Sequence, residues 1–285
     1  MSTFVALGDS MTLGMGDPMR DGTWRGWAAI LAEALGAELT NLAVSGALTA
    51  DVEREQLPRA LELRPDLAAV VVGVNDTLRH SFNATRTGQA LAHTVGALRS
   101  AGATVLTMRL PDPGRMFGLP PTLARPLARR IRAVNAVGDV VSARFSTVHF
   151  DAVGHPGTYD PQMWSVDRLH PSERGHRLLA HAYATLLGMP ENQRPDLDPS
   201  GRPPTLRAQV GWLATKGTRW VYDRSRDLVP YLVGMAIAEW WYELRGIADR
   251  LDATSLRETT VALTALEGPA RLTPWPDLMD ATPTS

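Results

Sequence analysis

An alternation of strand-like and helix-like segments constrains the fold of this chain more than any other feature of its sequence. Short apolar segments, predicted as strands, occupy residues 4–7, 39–44, 67–73, 103–108 and 147–150. Segments with helical periodicity occupy residues 24–35, 48–63, 87–100, 123–143 and 172–187. Strands that alternate with helices predict a parallel sheet covered on both faces and wound right-handedly. The sequence therefore predicts an α/β domain with five strands.

The first predicted strand ends abruptly in Gly8-Asp9-Ser10. Glycine permits a tight turn where a side chain would clash, so Ser10 should lie where the strand ends and the chain turns away. Open parallel sheets bind their ligands at this carboxyl edge. A serine hydroxyl becomes a useful nucleophile there only with a base, a group that orients the base, and donors for a developing oxyanion.

Two further turns are predicted to lie at the same edge. Gly46 follows the second predicted strand, and its backbone N–H can approach a ligand with no side chain in the way. Asn75 follows the third predicted strand in Gly73-Val74-Asn75-Asp76, and its amide is a neutral hydrogen-bond donor. Taken singly, each is better explained as an ordinary turn residue.

The predicted base lies late in the same region. Asp167 and His170 precede Pro171-Ser172, a pair that suits the start of a helix. An aspartate three residues earlier in the same turn can hold one nitrogen of the histidine ring. The other nitrogen is then free to take a proton from a serine hydroxyl.

In combination, these segments resemble the SGNH (GDSL-type) hydrolase superfamily over about residues 3–188. The resemblance implies a flavodoxin-like three-layer α/β/α fold with sheet order 2-1-3-4-5. It implies Ser10 as nucleophile, His170 as general base and then acid, and Asp167 as its orienting group. The N–H groups of Ser10 and Gly46 and the side chain of Asn75 would be the oxyanion donors. Met11 stands where the family usually has leucine, a change of similar volume.

The favoured function is a serine hydrolase that cleaves a carboxylic ester, as an esterase, lipase or deacylase, through an acyl-enzyme on Ser10. An acyltransferase would use the same residues with another alcohol or amine in place of water. A binding or scaffold protein of the same fold is the alternative from another class, and the complete residue set argues against it. The sequence contains no P-loop motif and no pair of residues with metal-ligand spacing. We therefore expect that the protein uses neither a cofactor nor a metal ion.

The composition of the chain limits the classes of partner that we expect for this protein. A formal net charge of −1 gives no general attraction to nucleic acid, so we expect a small-molecule ester or acylated substrate. The absence of cysteine excludes disulfides and thiolate metal sites. The first residues lead directly into a strand without the features of a signal peptide, and we therefore expect a cytoplasmic protein.

The sequence predicts three parts: a hydrolase domain at 1–188, a proline-rich linker at 189–204, and a helical, aromatic-rich extension at 205–285. Three interpretations of the extension remain: packing on the hydrolase domain, a dimer contact, or contact with a membrane surface. Its apolar stretch, interrupted by Pro230, is too short to span a bilayer, and its acidic residues oppose anionic lipid. Packing on the domain is therefore favoured, and membrane contact is not.

Two connections and several charged residues are further candidates for the site. Residues 111–126 and 151–166 follow strands and are predicted to form walls of a substrate pocket, with surface cover as the alternative. Asp9 and Asp76 are interpreted as turn residues that support the backbone. Three arginines are interpreted mainly as surface residues, with binding of an anionic substrate group as the alternative: Arg79, Arg109 and Arg115.

Overall fold

The protein contains a five-stranded parallel sheet in the order β2-β1-β3-β4-β5. The structure is a computed structural model that describes residues 2–165, 167, 169–198 and 218–267. The strands are β1 (Thr3–Gly8), β2 (Glu38–Asn41), β3 (Leu67–Val71), β4 (Thr104–Arg109) and β5 (Val148–Asp151). The predicted α/β class, the strand number and the strand order are confirmed.

Helices connect the strands and cover the sheet. Those up to the last strand are α1 (Ser10–Leu13), α2 (Gly26–Leu35), α3 (Thr49–Asp51), α4 (Leu57–Glu62), α5 (Val74–Thr77), α6 (Ala84–Ser100), α7 (Pro113–Phe117) and α8 (Pro121–Phe145). A π-helical turn, Val52–Gln56, joins α3 to α4. After β5 come two 3₁₀ turns, Pro156–Tyr159 and Pro161–Met163, then α9 (Glu173–Leu186) and a 3₁₀ turn, Glu191–Gln193.

The side chains of each strand alternate between two hydrophobic clusters, as the period of two in a strand requires. Phe4 and Ala6 of β1 face a cluster with Trp27 and Tyr183, whereas Val5 and Leu7 face an aliphatic cluster on the opposite side. α2 and α9 cover the first face, and α4 and α6 cover the second. The result is the predicted three-layer α/β/α arrangement.

β2 ends at Asn41, three residues before the predicted end. Asn41 donates from Nδ2 to the carbonyl of Thr12 and accepts at Oδ1 from the N–H of Ala43. The N–H groups of Leu42 and Val44 still bond to the carbonyls of Ala6 and Gly8, so the chain stays beside β1 although the regular strand does not extend to the predicted residue 44. The loop that follows contains Gly46 with a φ of 84°.

Two prolines, Pro126 and Pro230, lie inside helices. α8 begins at Pro121, where a proline lacks only an N–H that has no helical partner, and Pro126 follows within its early turns. Pro230 lies inside α10 (Thr218–Leu244), which continues through it. The predicted break at Pro230 is wrong, because packing of α10 along α8 maintains the helix where an isolated helix would lose a hydrogen bond.

Two helices of the predicted extension pack on the hydrolase fold. α11 (Asp249–Glu267) lies against α6 and α8, and its Ala262 and Leu266 join the aliphatic cluster. α10 is tied to α8 by Arg129, which contacts Glu239 at 2.5 and 2.9 Å and also contacts Asp252 of α11. Residues 218–267 therefore pack on the hydrolase domain, as the favoured interpretation of the extension predicts.

The remaining parts of the predicted domain division stay predictions. Residues 189–198 of the predicted linker contact α9 through a bond of 2.9 Å between His181 Nδ1 and the carbonyl of Pro195. The rest of the linker, the predicted amphipathic segment up to residue 217, and residues 268–285 lie outside the described residues.

The outer side of α10 is apolar. An open groove of about 450 Å³ runs between the beginning of α8 and exposed side chains of α10. The groove is lined by Leu123, Val229, Val233, Ile237 and Trp240. Among the described helices, none is long and apolar enough to cross a membrane. The dimer contact considered for this extension stays a prediction.

Candidate active site

Three predicted residues from two distant parts of the chain form one line of hydrogen bonds. His170 Nε2 lies 2.9 Å from Ser10 Oγ, and His170 Nδ1 lies 2.7 Å from Asp167 Oδ2. Because an ionised carboxylate cannot donate, Nδ1 carries the proton and Nε2 is the acceptor for the serine hydroxyl. His170 is buried and Ser10 is half-buried, so the ring is more shielded from solvent than the serine.

The turn before α9 holds Asp167 in place. Its Oδ1 accepts from the hydroxyl of Ser165 at 2.6 Å and from the N–H groups of Leu169 and His170 at 2.9 and 3.0 Å. Burial alone would raise the pKa of Asp167, but the hydrogen bond from His170 and the charge of that ring outweigh it. With the bond from Ser165, they lower the pKa to about 2. The carboxylate therefore stays ionised throughout the neutral range.

The turn that presents Ser10 depends on Gly8 and Gln56. Gly8 has a φ of 152°, and a Cβ there would lie 2.3 Å from the carbonyl of Val71, so only glycine fits. The amide of Gln56 binds both backbone groups of Gly8, accepting at 2.8 Å and donating at 2.9 Å. Sequence reasoning missed Gln56; its one signal is a lone polar side chain on the buried side of a predicted helix.

Asn75 approaches the serine turn from α5. Its Nδ2 donates to Asp9 Oδ2 at 3.2 Å and to the carbonyl of Ala47 at 3.1 Å. These two acceptors fix the side chain with its donor end toward the Ser10 and Gly46 loops. Asp9 also accepts from the N–H of Met11 at 3.0 Å, so it links α1 to Asn75 and supports the predicted turn.

Two backbone N–H groups complete this side of the site. Ser10 is the first residue of α1, and Gly46 lies in the loop after β2. Within the part of the chain that the structure describes, neither N–H has an acceptor. Both are therefore available to a ligand.

Asp9 and Asp76 are buried carboxyls beside the site. Burial raises the pKa of each to about 6, against the opposing effect of hydrogen bonds from the N–H groups of Met11 and Thr49 respectively. The N–H of Thr49 contacts Asp76 at 3.1 Å, and this bond joins α3 to α5. The interpretation of these aspartates as backbone supports agrees with their contacts.

A second histidine fixes the chain that follows α1. His176 accepts at Nδ1 from the N–H of Trp27 at 3.2 Å and donates from Nε2 to the carbonyl of Met15 at 2.9 Å. Burial lowers the pKa of His176 to about 4, so the ring is neutral in one tautomer. This role of His176 was not predicted from the sequence.

The three candidate arginines have different surroundings. Arg79 is half-buried just after α5, and its carbonyl accepts from Arg130 at 2.8 Å. Arg109 lies 3.3 Å from Asp139, an ionic contact without hydrogen-bond geometry, and 3.6 Å from Asp151. Arg115 lies over the ring of Tyr159 at 3.8 Å, so the two connections predicted to form pocket walls contact each other.

A small apolar cavity of about 30 Å³ lies against these connections. Its lining includes the neighbours of Ser10 and His170 in the chain, together with residues of both predicted walls. These residues are Met11, Pro171, Pro111, Thr158, Met163 and Trp164. In the described ranges, no group of three or more acidic or histidine side chains has a geometry suited to a metal ion.

The sheet order, and a serine and a histidine that meet at its carboxyl edge, define the class of SGNH-type hydrolases. The sequence model of the GDSL-like Lipase/Acylhydrolase family matches residues 6–178, so the chain belongs to this family. It is accordingly an enzyme of the esterase type, and the family acts on small-molecule esters. The predicted resemblance is confirmed.

Solved structures show the same fold. An acetyl-xylooligosaccharide esterase from Geobacillus stearothermophilus, Axe2, is 17% identical with a TM-score of 0.55, over 67% of this chain and 95% of that one. An α/β hydrolase from the Lake Arreo metagenome, LAE5, is 20% identical with a TM-score of 0.54, over 66% and 95%. TesA is 25% identical with a TM-score of 0.51, over 65% and 97%. No curated protein sequence matches the chain.

Proposed function

We propose that this protein is a serine esterase in which Ser10 attacks the acyl carbonyl of a small ester. The hydrogen-bonded line from Ser10 Oγ through His170 to Asp167 is the observation that supports this proposal most directly. As the Ser10 oxygen bonds to the carbonyl carbon, its proton passes to His170 Nε2. Asp167 keeps the ring in the required tautomer and stabilises the imidazolium that forms.

The tetrahedral intermediate carries an oxyanion, and we assign its stabilisation to the N–H groups of Ser10 and Gly46 and to Asn75. The backbone donors have no acceptor among the described residues, whereas Asn75 Nδ2 contacts Asp9 and Ala47. An oxyanion would compete with the carbonyl of Ala47 for one amide proton of Asn75. A charged acceptor is the stronger one, so this donor is recruited as charge develops.

The intermediate then collapses, and His170 gives its proton to the leaving alcohol. An acyl-enzyme on Ser10 remains. His170 next removes a proton from water, the water oxygen attacks the acyl carbon, and the acid leaves as Ser10 regains its proton. If an alcohol replaces water in the second half, the product is a new ester, which is the acyltransferase alternative.

The acyl group is proposed to be short. The cavity beside Met11 and Pro171, at about 30 Å³, has room for a methyl-sized group but not for a long chain. The acetyl substrate named for Axe2 fits this size. We therefore expect kcat/KM to be highest for acetyl esters and to fall steeply as the acyl chain lengthens.

The test is a series of p-nitrophenyl esters from acetate to palmitate, with wild type and Ser10→Ala. Wild type should hydrolyse the short esters and be labelled at Ser10 by a fluorophosphonate. Ser10→Ala should lose both properties with an almost unchanged Tm. Labelling at Ser45 or Ser172 instead would overturn the assignment of the nucleophile, and an optimum at palmitate would overturn the short acyl group. A parallel reaction with added ethanol measures ethyl ester formation and hence acyl transfer.

A further inference from the structure

Arg130 of α8 joins three parts of the molecule. Its Nη1 donates to the carbonyls of Thr77 and Arg79 at 2.9 and 2.8 Å, just after Asn75 in the chain. Its Nη2 donates to the hydroxyl of Tyr231 on α10. The guanidinium also lies 5.1 Å from the ring centroids of both Phe82 and Tyr231. We call this arrangement the Arg130 clamp.

The clamp acts on the short helix that carries Asn75. α5 has four residues, Val74–Thr77, and the carbonyls of its first three accept from the hydroxyl of Thr77 and from the N–H groups of Leu78 and Arg79. The carbonyl of Thr77, the last residue, accepts from Arg130. A guanidinium at the carboxyl end of a helix supplies a charge-assisted hydrogen bond to such a terminal carbonyl and complements the helix dipole. β3 fixes the beginning of α5, and Arg130 fixes its end.

Tyr231 is the contribution of the C-terminal extension to this clamp. Arg129, the neighbour of Arg130, is ion-paired with Glu239, and Arg125 is ion-paired with Glu243. Arg130, by contrast, has no carboxylate partner among the described residues. Besides the carbonyls that it binds, its contacts are therefore the hydroxyl and ring of Tyr231 and the ring of Phe82. The ring of His80 contacts Tyr231 edge-on at 6.3 Å and closes the same cluster.

We infer that Arg130 and Tyr231 are positioning residues for the oxyanion donor Asn75. The C-terminal extension thereby forms part of the catalytic unit, although its described residues add no group to the Ser10–His170–Asp167 line. Tyr231 orients Arg130, Arg130 holds the end of α5, and α5 holds the amide of Asn75 toward the Ser10 turn. This inference rests on the proposed function, since it gives Asn75 its role in the oxyanion site.

The first test measures the clamp without catalysis. Hydrogen exchange of the backbone in residues 74–82 should speed up in Tyr231→Phe and in Arg130→Met, whereas exchange in α9 should not change. Tyr242→Phe, on the same helix, is the matched control and should exchange like wild type. Unchanged exchange in residues 74–82 of both variants would overturn the clamp, whatever the enzyme's activity.

The second test is a double-mutant cycle with Asn75→Ala on a short p-nitrophenyl ester. Tyr231→Phe should lower kcat about 3- to 10-fold with little change in KM, because it loosens a donor used in the transition state. Arg130→Met should lower kcat further. Both losses should disappear in the Asn75→Ala background.

The outcomes of the cycle are distinguishable. Equal losses with and without Asn75 would overturn the positioning role, as would a loss confined to KM or to Tm. If Ser10→Ala kept full activity, the proposed function would fail by itself, and the hydrogen-exchange result would still decide whether the clamp exists.

Discussion

The two sides of the candidate active site are built in different ways. On the base side, Asp167 holds His170 with hydrogen bonds that all arise within residues 165–170. On the oxyanion side, Asn75 depends on Asp9, Ala47 and the Arg130 clamp, which come from four separate parts of the chain. A local network forms together with its turn, whereas a non-local one exists only when distant elements are packed correctly. The oxyanion side should therefore be the more sensitive to changes elsewhere in the molecule.

The largest expected effect comes from breaking the base side. Asp167→Asn keeps the size of the side chain but removes the charge that selects the His170 tautomer. We expect kcat to fall by about 10³–10⁴-fold, measured on a short p-nitrophenyl ester. Ser165→Ala removes only one of the bonds to Asp167 and should cost less than about tenfold, since two backbone donors remain. A loss below tenfold in Asp167→Asn would contradict the proposed role of the carboxylate.

The next effect tests the oxyanion side itself. Asn75→Ala removes one donor to the developing charge, so kcat should fall by about 10²–10³ with little change in KM. Asn75→Asp keeps the shape but cannot donate and adds charge near Asp9, so it should be at least as impaired. If the loss appeared in KM alone, Asn75 would bind the ground state rather than the transition state.

A third prediction concerns the packing of the C-terminal extension on the hydrolase fold. Leu266→Ala in α11 empties a buried position of the aliphatic cluster and should lower the free energy of unfolding by about 2–5 kcal/mol. Leu256 lies on the same helix but is 68% exposed, so Leu256→Ala should change stability by less than about 0.5 kcal/mol. Denaturant titration measures both. Equal effects of the two substitutions would mean that α11 does not pack as described.

The smallest expected effect is a dependence of stability on pH. Burial raises the pKa of Asp9 from 3.8 to about 6, so between those values the folded protein holds a proton that the unfolded chain has lost. The contribution of Asp9 to stability therefore falls as pH rises through this window, because ionised Asp9 is costly when buried. Asp9→Asn removes this dependence. Relative to wild type, its free energy of unfolding should gain about 2 kcal/mol between pH 4 and pH 7.

Taking the difference from wild type separates Asp9 from other groups that titrate in the same range. His176 acts in the opposite direction: its folded pKa is about 4, below its ordinary 6.5, so it favours the folded state as pH rises. Glu258 is exposed, and Glu258→Gln provides the baseline. If the difference in free energy of unfolding between Asp9→Asn and wild type did not change from pH 4 to pH 7, ionised Asp9 would not be costly to bury.

The contrast between local and non-local networks also explains which residues of the candidate site could be predicted from the sequence. Ser10, Asp167 and His170 lie in short segments whose turn chemistry is visible in the chain, and the alternation of elements brings those segments to one edge. Gln56 and Arg130 gave no such signal, because their partners are backbone groups about 50 residues away. The predicted break at Pro230 was wrong for the same reason. Proline by itself tends to break a helix, but the packing of α10 along α8 outweighs this local preference.

The π-helical turn at Val52–Gln56 has a consequence for how this family member can change in length. A π-helical turn holds one residue more than the regular helical turn it replaces, so the helical residues on either side of it keep their rotational phase. Losing one residue between Val52 and Gln56 would therefore restore a regular turn and leave Gln56 facing Gly8, whereas losing one residue from a regular turn rotates the side chains that follow by about 100°. A single-residue deletion within this turn should therefore leave the nucleophile turn in place.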